Sequence, residues 1–123
     1  WEAAMYAPAK NVDNIVAIVD YNKKQIDGPT DDVLSLGDLR AKYESFGWKV
    51  WECNGNDMQE LVDTFNKIRE NAHKGQSQIL LAHTEMGMGV DFMMGTHKWH
   101  GVAPNDEQAA NALSQLKETL GDY

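Results

Sequence analysis

Ile15-Val16-Ala17-Ile18-Val19 is an uninterrupted apolar run set between polar residues, and it limits what the chain can fold into more than any other feature. A strand buried on one face alternates apolar and polar positions. A continuous run marks a strand covered on both faces, as in a parallel sheet with helices on either side. Ile79-Leu80-Leu81-Ala82 repeats the pattern, and Trp48-Lys49-Val50-Trp51-Glu52 alternates like a strand. Between these runs the period changes. Leu36, Leu39, Tyr43 and Phe46 recur at helical spacing before Gly47, as do Met58, Leu61, Val62, Phe65 and Ile68 before Lys74-Gly75. Strands near Ile15 to Asp20, Lys49 to Glu52 and Ile79 to His83, alternating with helices, predict an α/β fold with a parallel sheet and helices on both faces.

The ends read as helices too. Trp1 to about Ala9 carries Trp1 and Met5 on a helical pattern that Pro8 is expected to terminate, because the proline ring clashes with the preceding turn. Gly55-Asn56-Asp57 offers a turn and an N-cap for the Met58 to Ile68 helix, while Glu85 to Val102 reads as an irregular Gly/Met-rich segment. Asn105 can cap a last helix with Gln108 reaching back, and Ala109, Leu113, Leu116 and Leu120 form its expected buried stripe.

Composition narrows the function classes. The chain has 123 residues, enough for one compact domain, and a net charge of −8, which argues against sequence-independent binding to nucleic acid because that needs a Lys/Arg-rich face. No apolar stretch approaches the roughly 20 residues that span a bilayer, so membrane insertion is not expected and a cytoplasmic protein is. Cys53 is the single cysteine; it excludes an internal disulfide and reads as a small core residue. Trp1 opens the chain inside a helical pattern, which suggests one piece of a larger assembly.

Chemistry is expected where Asp20-Tyr21-Asn22-Lys23-Lys24-Gln25-Ile26-Asp27-Gly28 leaves the first strand. In open α/β sheets ligands gather beyond the carboxyl ends of parallel strands, and irregular backbone there offers carbonyls beside an Asn oxygen. Asn22 is therefore a candidate ligand for a hard cation. The same residues are turn formers, and Asp-Tyr-Asn and Asp-Gly-Pro need no ligand to explain them. Strand alternation points Asp20 away from Asn22.

Taken in order, Trp1-Glu2-Ala3-Ala4-Met5, the apolar strand, the Asp20 to Gly28 loop, Phe46-Gly47-Trp48, Thr84 to Gly89 as Thr-x-x-Gly-x-Gly, and Trp99-His100-Gly101 resemble the thiamine-diphosphate-binding domain of transketolases along nearly the whole chain. That resemblance implies a thiamine-diphosphate-binding fold of which residues 1 to 123 are the second half, and an enzyme of pentose phosphate chemistry that moves a two-carbon ketol unit from a ketose phosphate to an aldose phosphate. Thiamine diphosphate and magnesium, or calcium in its place, are the implied cofactors. Asn22 and the main-chain carbonyl of Lys24 match the family's metal ligands. Ile26 and Met86 match apolar contacts to the cofactor, with many relatives carrying Ile or Lys at the second position. His100 matches a catalytic residue near the diphosphate and the donor sugar, and Glu2 matches an acidic residue linking paired cofactor sites.

His97 stands where only some relatives carry a His, His83 stands where many carry Lys, and His73 reads as helix-end decoration. The family's Gly-Asp-Gly motif and its pyrimidine-binding domain lie outside this chain, so the resemblance implies partner segments, an oligomer and an inactive chain on its own. A patch of Trp1, Met5, Met93, Met94 and Trp99 is the expected contact surface. Two alternatives fit the residues: a transketolase-like enzyme for another ketose, and a non-catalytic structural or interaction subunit.

Overall fold

The computed structural model describes residues 1–117. Helix α1 (Glu2–Ala9) leads into strand β1 (Val16–Asp20), and a short antiparallel pair, β2 (Lys24–Gln25) and β3 (Gly28–Pro29), follows. Helices α2 (Thr30–Val33) and α3 (Leu39–Ser45), strand β4 (Lys49–Asn54), helix α4 (Met58–Glu70), strand β5 (Gln78–His83) and helix α5 (Asp106–Gln115) complete the order. The main sheet runs β1-β5-β4 with both pairings parallel. This is the expected α/β architecture. The β2–β3 pair and α2 occupy a stretch that the sequence presents only as a loop.

Both faces of the sheet carry helices. On one side Ala7 of α1 and Leu39 of α3 pack with Trp48, Val50, Ile79 and Leu81, and Tyr43 and Phe46 close over them. On the other, Ile68 of α4 meets Cys53, Leu80 and Ala82, with Leu61 and Trp51 alongside. Cys53 is a buried free thiol in that core. Gln78, buried at the start of β5, is satisfied by accepting from Trp51 Nε1 at 2.9 Å and donating to the Ile68 carbonyl at 3.0 Å. A buried amide left unpaired would cost about 1–3 kcal/mol, so this bridge fixes α4 against the sheet.

The expected double covering of Ile15 to Val19 is not what forms. Val16 and Ile18 are exposed, Ile18 by 58%, whereas Ala17 and Val19 face the α1/α3 core. The strand covered on both faces is β5, whose residues Gln78 to Ala82 are all buried. Position explains the difference. β5 is central, β1 lies at the sheet edge, and the core made by α4 is with residues of β4 and β5.

Helix details also depart from the periodic reading. Pro8 lies inside α1 instead of ending it, and the helix closes at Lys10. The Leu36 to Phe46 stripe becomes a helix only from Leu39, where Asp38 caps it by accepting from Ala41 N at 2.9 Å. Gly47 follows α3 at φ 98°, a left-handed conformation in which an L side chain is strained. Along α4 the buried positions are Thr64 and Ile68; Met58, Val62 and Phe65 are exposed. The capping box of Asn105 and Gln108 forms as expected, but α5 buries Ala112 while Leu113 and Leu116 are exposed. Leu120 lies outside the described residues.

The anticipated contact patch is partly internal packing. Trp1 is exposed but stacks on Tyr43 and Phe46 with ring centroids 5.7 and 5.9 Å away. Trp99 packs edge-on to Phe92 and donates Nε1 to the Phe92 carbonyl at 2.9 Å, and Met93 is half-buried. Met5 and Met94 remain exposed. Gly87, at φ 72°, lies so close to Met93 that an added Cβ would meet its Cβ at 2.6 Å. His73 sits beyond α4, beside Asp13 at 3.8 Å. No helix among the described residues is long and apolar enough to cross a membrane.

Candidate functional site

Parallel pairing brings three strand ends to one edge. Asp20 of β1 is in register with Ala82, and Asn54 of β4 with His83 of β5. The ladder continues past the strands, with Tyr21 N donating to the Ala82 carbonyl at 2.8 Å and Gly55 N to the His83 carbonyl at 2.7 Å. Beyond this edge opens a cavity of about 340 Å³ between Asn22 and Lys24 on one side and Asn54, Asn56, His83 and Glu85 on the others. Tyr21, Lys23, Thr84 and Met88 complete its lining. An apolar groove of about 390 Å³ between Val16, Phe65, Ile68 and Ala72 lies elsewhere and is almost without polar surface, so the strand-end cavity is the chemical candidate.

Local hydrogen bonds determine which atoms this cavity offers. Asn22 Oδ1 accepts from Lys24 N at 2.9 Å, a tight turn in which Lys23 takes φ 59°. Asn54 Oδ1 accepts from Asn56 N at 3.0 Å, and Asn56 Oδ1 accepts from Glu85 N at 2.7 Å. A backbone N–H donates only to oxygen, so each contact fixes the amide's orientation and leaves the NH2 group as the free end. Lys24 is held 3.8 Å from Glu85, whose Oε1 also accepts from Gly95 N at 2.8 Å and ties the Gly/Met-rich segment to the site. With Lys23 beside them, the groups are rich in N–H donors and suit an anion such as a phosphate or diphosphate.

A second network stands behind the cavity. His83 Nε2 lies 2.8 Å from Glu52 Oε2, and Glu52 Oε1 accepts from Arg40 Nη1 at 3.0 Å, while Arg40 Nε pairs with Glu44 at 2.9 Å. The His83 ring, and after it the Arg40 guanidinium, hold the Glu52 carboxyl below the usual carboxylate range against a burial effect that raises it. An ionised Glu52 is acceptor-only, so it selects the Nε2–H form of His83 and turns Nδ1 into the ring's remaining polar atom. Tyr21 packs on the same ring with centroids 5.3 Å apart.

Of the residues expected from sequence, the structure brings Asn22 and Lys24 into one cavity. Asn22 Oδ1 has one lone pair in its turn and one left over; Pro29, the register partner of Lys24, has no N–H to give the Lys24 carbonyl. Two protein oxygens are therefore available to a cation, and no group of three or more His, Cys, Asp or Glu that could hold a metal occurs among the described residues. Asp20 accepts from the Thr84 hydroxyl and takes no part in the lining.

Ile26, 70% exposed on the β2–β3 turn, half-buried Met86 and exposed His100 lie outside the cavity lining. His100 follows a turn closed by its N donating to the His97 carbonyl at 3.1 Å. Glu2 is fully exposed and pairs with the Trp1 amino group at 3.3 Å. Sequence reasoning missed Asn54 and Asn56. The signal was present, since any residue ending the second strand of a parallel sheet shares an edge with Asn22, but Asn54-Gly55-Asn56 reads first as a turn.

Comparison with known proteins fits this geometry. A family model described as "Transketolase, thiamine diphosphate binding domain" matches residues 1–121. The chain is 39% identical over 120 residues to one subunit of the apulose-4-phosphate transketolase of Phocaeicola vulgatus, covering 98% of this chain and 42% of that protein. It is 32% identical over 118 residues to the SqwG subunit of the 6-deoxy-6-sulfo-D-fructose transketolase of a Clostridium species, covering 96% of this chain and 42% of that one. A transketolase crystal structure from Campylobacter jejuni shares the fold with a TM-score of 0.82 at 24% identity, over 93% of this chain and 17% of that one. The chain thus spans about two-fifths of the length of these curated relatives.

Proposed function

The chain belongs to the transketolase family through its thiamine-diphosphate-binding domain, and from that premise we propose that residues 1 to 123 form the second half of that domain in a ketol-transferring enzyme. The enzyme would move a two-carbon unit between sugar phosphates with thiamine diphosphate and magnesium, or calcium. One observation carries the reading: the donor-rich cavity at the carboxyl ends of the strands, with Asn22 and Lys24 in its wall. Its amide and ammonium donors fit a diphosphate, and its two available oxygens fit a cation that takes its remaining ligands from phosphate, water and a partner segment. When bound, thiamine diphosphate supplies the electron sink for carbon–carbon cleavage.

The chain's own residues then have separate tasks. Asn22 Oδ1 and the Lys24 carbonyl hold the metal. Ile26 and Met86 keep water from the cofactor's rings, which strengthens the electrostatic interactions of the enclosed site. His100 donates to the diphosphate and moves a proton to or from the donor sugar's hydroxyl. Glu2 joins a carboxylate network toward a second site. Relatives named as single subunits of a transketolase support a separate partner chain carrying the remaining segments, including the pyrimidine-binding domain, in a cytoplasmic oligomer. Without them the isolated chain is inactive.

The relatives named for apulose-4-phosphate and for 6-deoxy-6-sulfo-D-fructose favour a second reading, a transketolase acting on a ketose outside the pentose phosphate set. Coupled assays of the assembled enzyme against a panel of ketose donors separate the two. A complex of this chain with its partner that binds no thiamine diphosphate by calorimetry, with magnesium present, would point to a non-catalytic role and overturn both.

A further inference from the structure

Asn54 and Asn56 end the second strand of the site edge, and nothing in the transketolase resemblance assigns them a task. Their side-chain oxygens are committed, to Asn56 N at 3.0 Å and Glu85 N at 2.7 Å, and both residues line the same cavity as Asn22. Each amide therefore presents two N–H donors. No described residue accepts from either NH2 group, so these are donors held in place by loop hydrogen bonds and left for a ligand. The other polar groups of the wall are largely used among themselves: Thr84 donates to Asp20, His83 bonds Glu52, and Glu85 faces Lys24 and Gly95. A cationic or purely acceptor-poor ligand would leave the Asn donors unpaired, whereas phosphate oxygens would take them.

We propose that Asn54 and Asn56 bind the cofactor's diphosphate through their side-chain N–H groups, making the end of β4 a second wall of the site opposite Asn22. The inference rests on the function proposed above and deepens it. A sugar phosphate offers the same oxygens, but the cavity shares Asn22 and Lys24 with the proposed metal site, and the metal bridges to the diphosphate. Preset donors of this kind need no reorganisation when the anion arrives, so their loss should appear in affinity.

Asn54→Asp and Asn56→Asp test the assignment in the complete enzyme with its partner. Each keeps an oxygen for the loop N–H and exchanges the NH2 donors for a carboxylate oxygen. Asn56→Ser keeps a capping oxygen without adding charge. Calorimetric titration with inorganic pyrophosphate and, separately, thiamine diphosphate at fixed magnesium should show affinity falling at least about tenfold for each Asp variant and about threefold or more for the Ser variant. Melting temperatures should stay near that of the parent enzyme. Parent enzyme that binds neither probe overturns the site reading and this inference together. Parent binding with all three variants unchanged overturns the inference alone. Weakening seen only in KM for the sugar phosphate would assign these donors to substrate and overturn their assignment to the cofactor.

Discussion

The indole Nε1 of Trp48 donates to the carbonyl oxygen of Ala4 at 2.6 Å, joining the start of β4 to α1 across forty-four positions of sequence. Ala4 is the residue whose carbonyl would ordinarily receive the N–H four positions later, and that position is Pro8, which has none. The proline that reads as a helix terminator instead frees an acceptor inside the helix, and a buried tryptophan takes it.

Replacing Trp48 by Phe keeps most of the buried area but leaves the Ala4 carbonyl without its donor, at a cost of about 1–3 kcal/mol. Pro8→Ala restores an N–H at the right position, so Trp48→Phe should cost less in that background, with a coupling of about 1 kcal/mol. Urea unfolding of the four proteins in the cycle measures it. Strict additivity would break the link between Pro8 and Trp48.

Glu52→Gln should destabilise the fold at neutral pH by about 0.5–1 kcal/mol, the range for partly exposed ion pairs. The Glu52 carboxyl is held low by His83 and then Arg40, and a depressed folded value means that its stabilising contribution is present above the ordinary carboxyl range and is lost as pH falls through the lowered one. The gap between parent and variant should therefore close as pH drops from roughly 5 to 3. Urea melts across that range check it; a gap independent of pH would remove the ionised carboxylate from the account.

The sheet and its helices were legible because they depend on short-range pattern. Ile79 to Ala82 reads as a buried strand and is one; Asn105 and Gln108 read as a capping box and form one. Coverage was less legible, because Ile18 has the same sequence signature as Leu80 and differs only in standing at the sheet edge. The site divides in the same way. Asn22 and Lys24 follow from one loop after one strand, whereas Asn54, Asn56 and the Glu52–His83 pair depend on which strands become neighbours, and periodicity does not encode strand order.

Asn22→Ala in the assembled enzyme should weaken thiamine diphosphate binding roughly tenfold or more at fixed magnesium, since it removes one of two oxygens that this chain offers a cation, worth about 1–3 kcal/mol. The substitution also releases the turn at Lys24 N. Raising magnesium should recover part of the affinity if the lost atom is a metal ligand and none if the turn alone matters.

His100→Ala should lower turnover with the donor sugar more than it weakens cofactor binding. His100 is exposed and outside the Asn22 cavity, the arrangement expected of a group that meets substrate and phosphate at the site's mouth instead of coordinating the metal. Steady-state kinetics beside calorimetry separates kcat from cofactor affinity. A variant with parental kcat and KM would leave His100 without a role in the reaction.

The isolated chain should associate at rising concentration and show no ketol transfer. Ile18, Val16, Phe65 and Val62 are exposed on β1 and α4, and β1 is an edge strand with unpaired backbone groups along one side. Exposed apolar edges of this kind promote pairing between chains. Ile18→Lys places a charge on that edge, so sedimentation of the isolated variant should shift toward monomer while its far-UV circular dichroism stays unchanged. In the assembled enzyme the same substitution should impair association with the partner segments, because a lysine there would have to be desolvated without a counter-charge. Ile18→Val, which keeps the edge apolar, should do neither. A parent chain that stays monomeric and binds thiamine diphosphate unaided would show that the site is complete within these residues and that no partner is needed to close it.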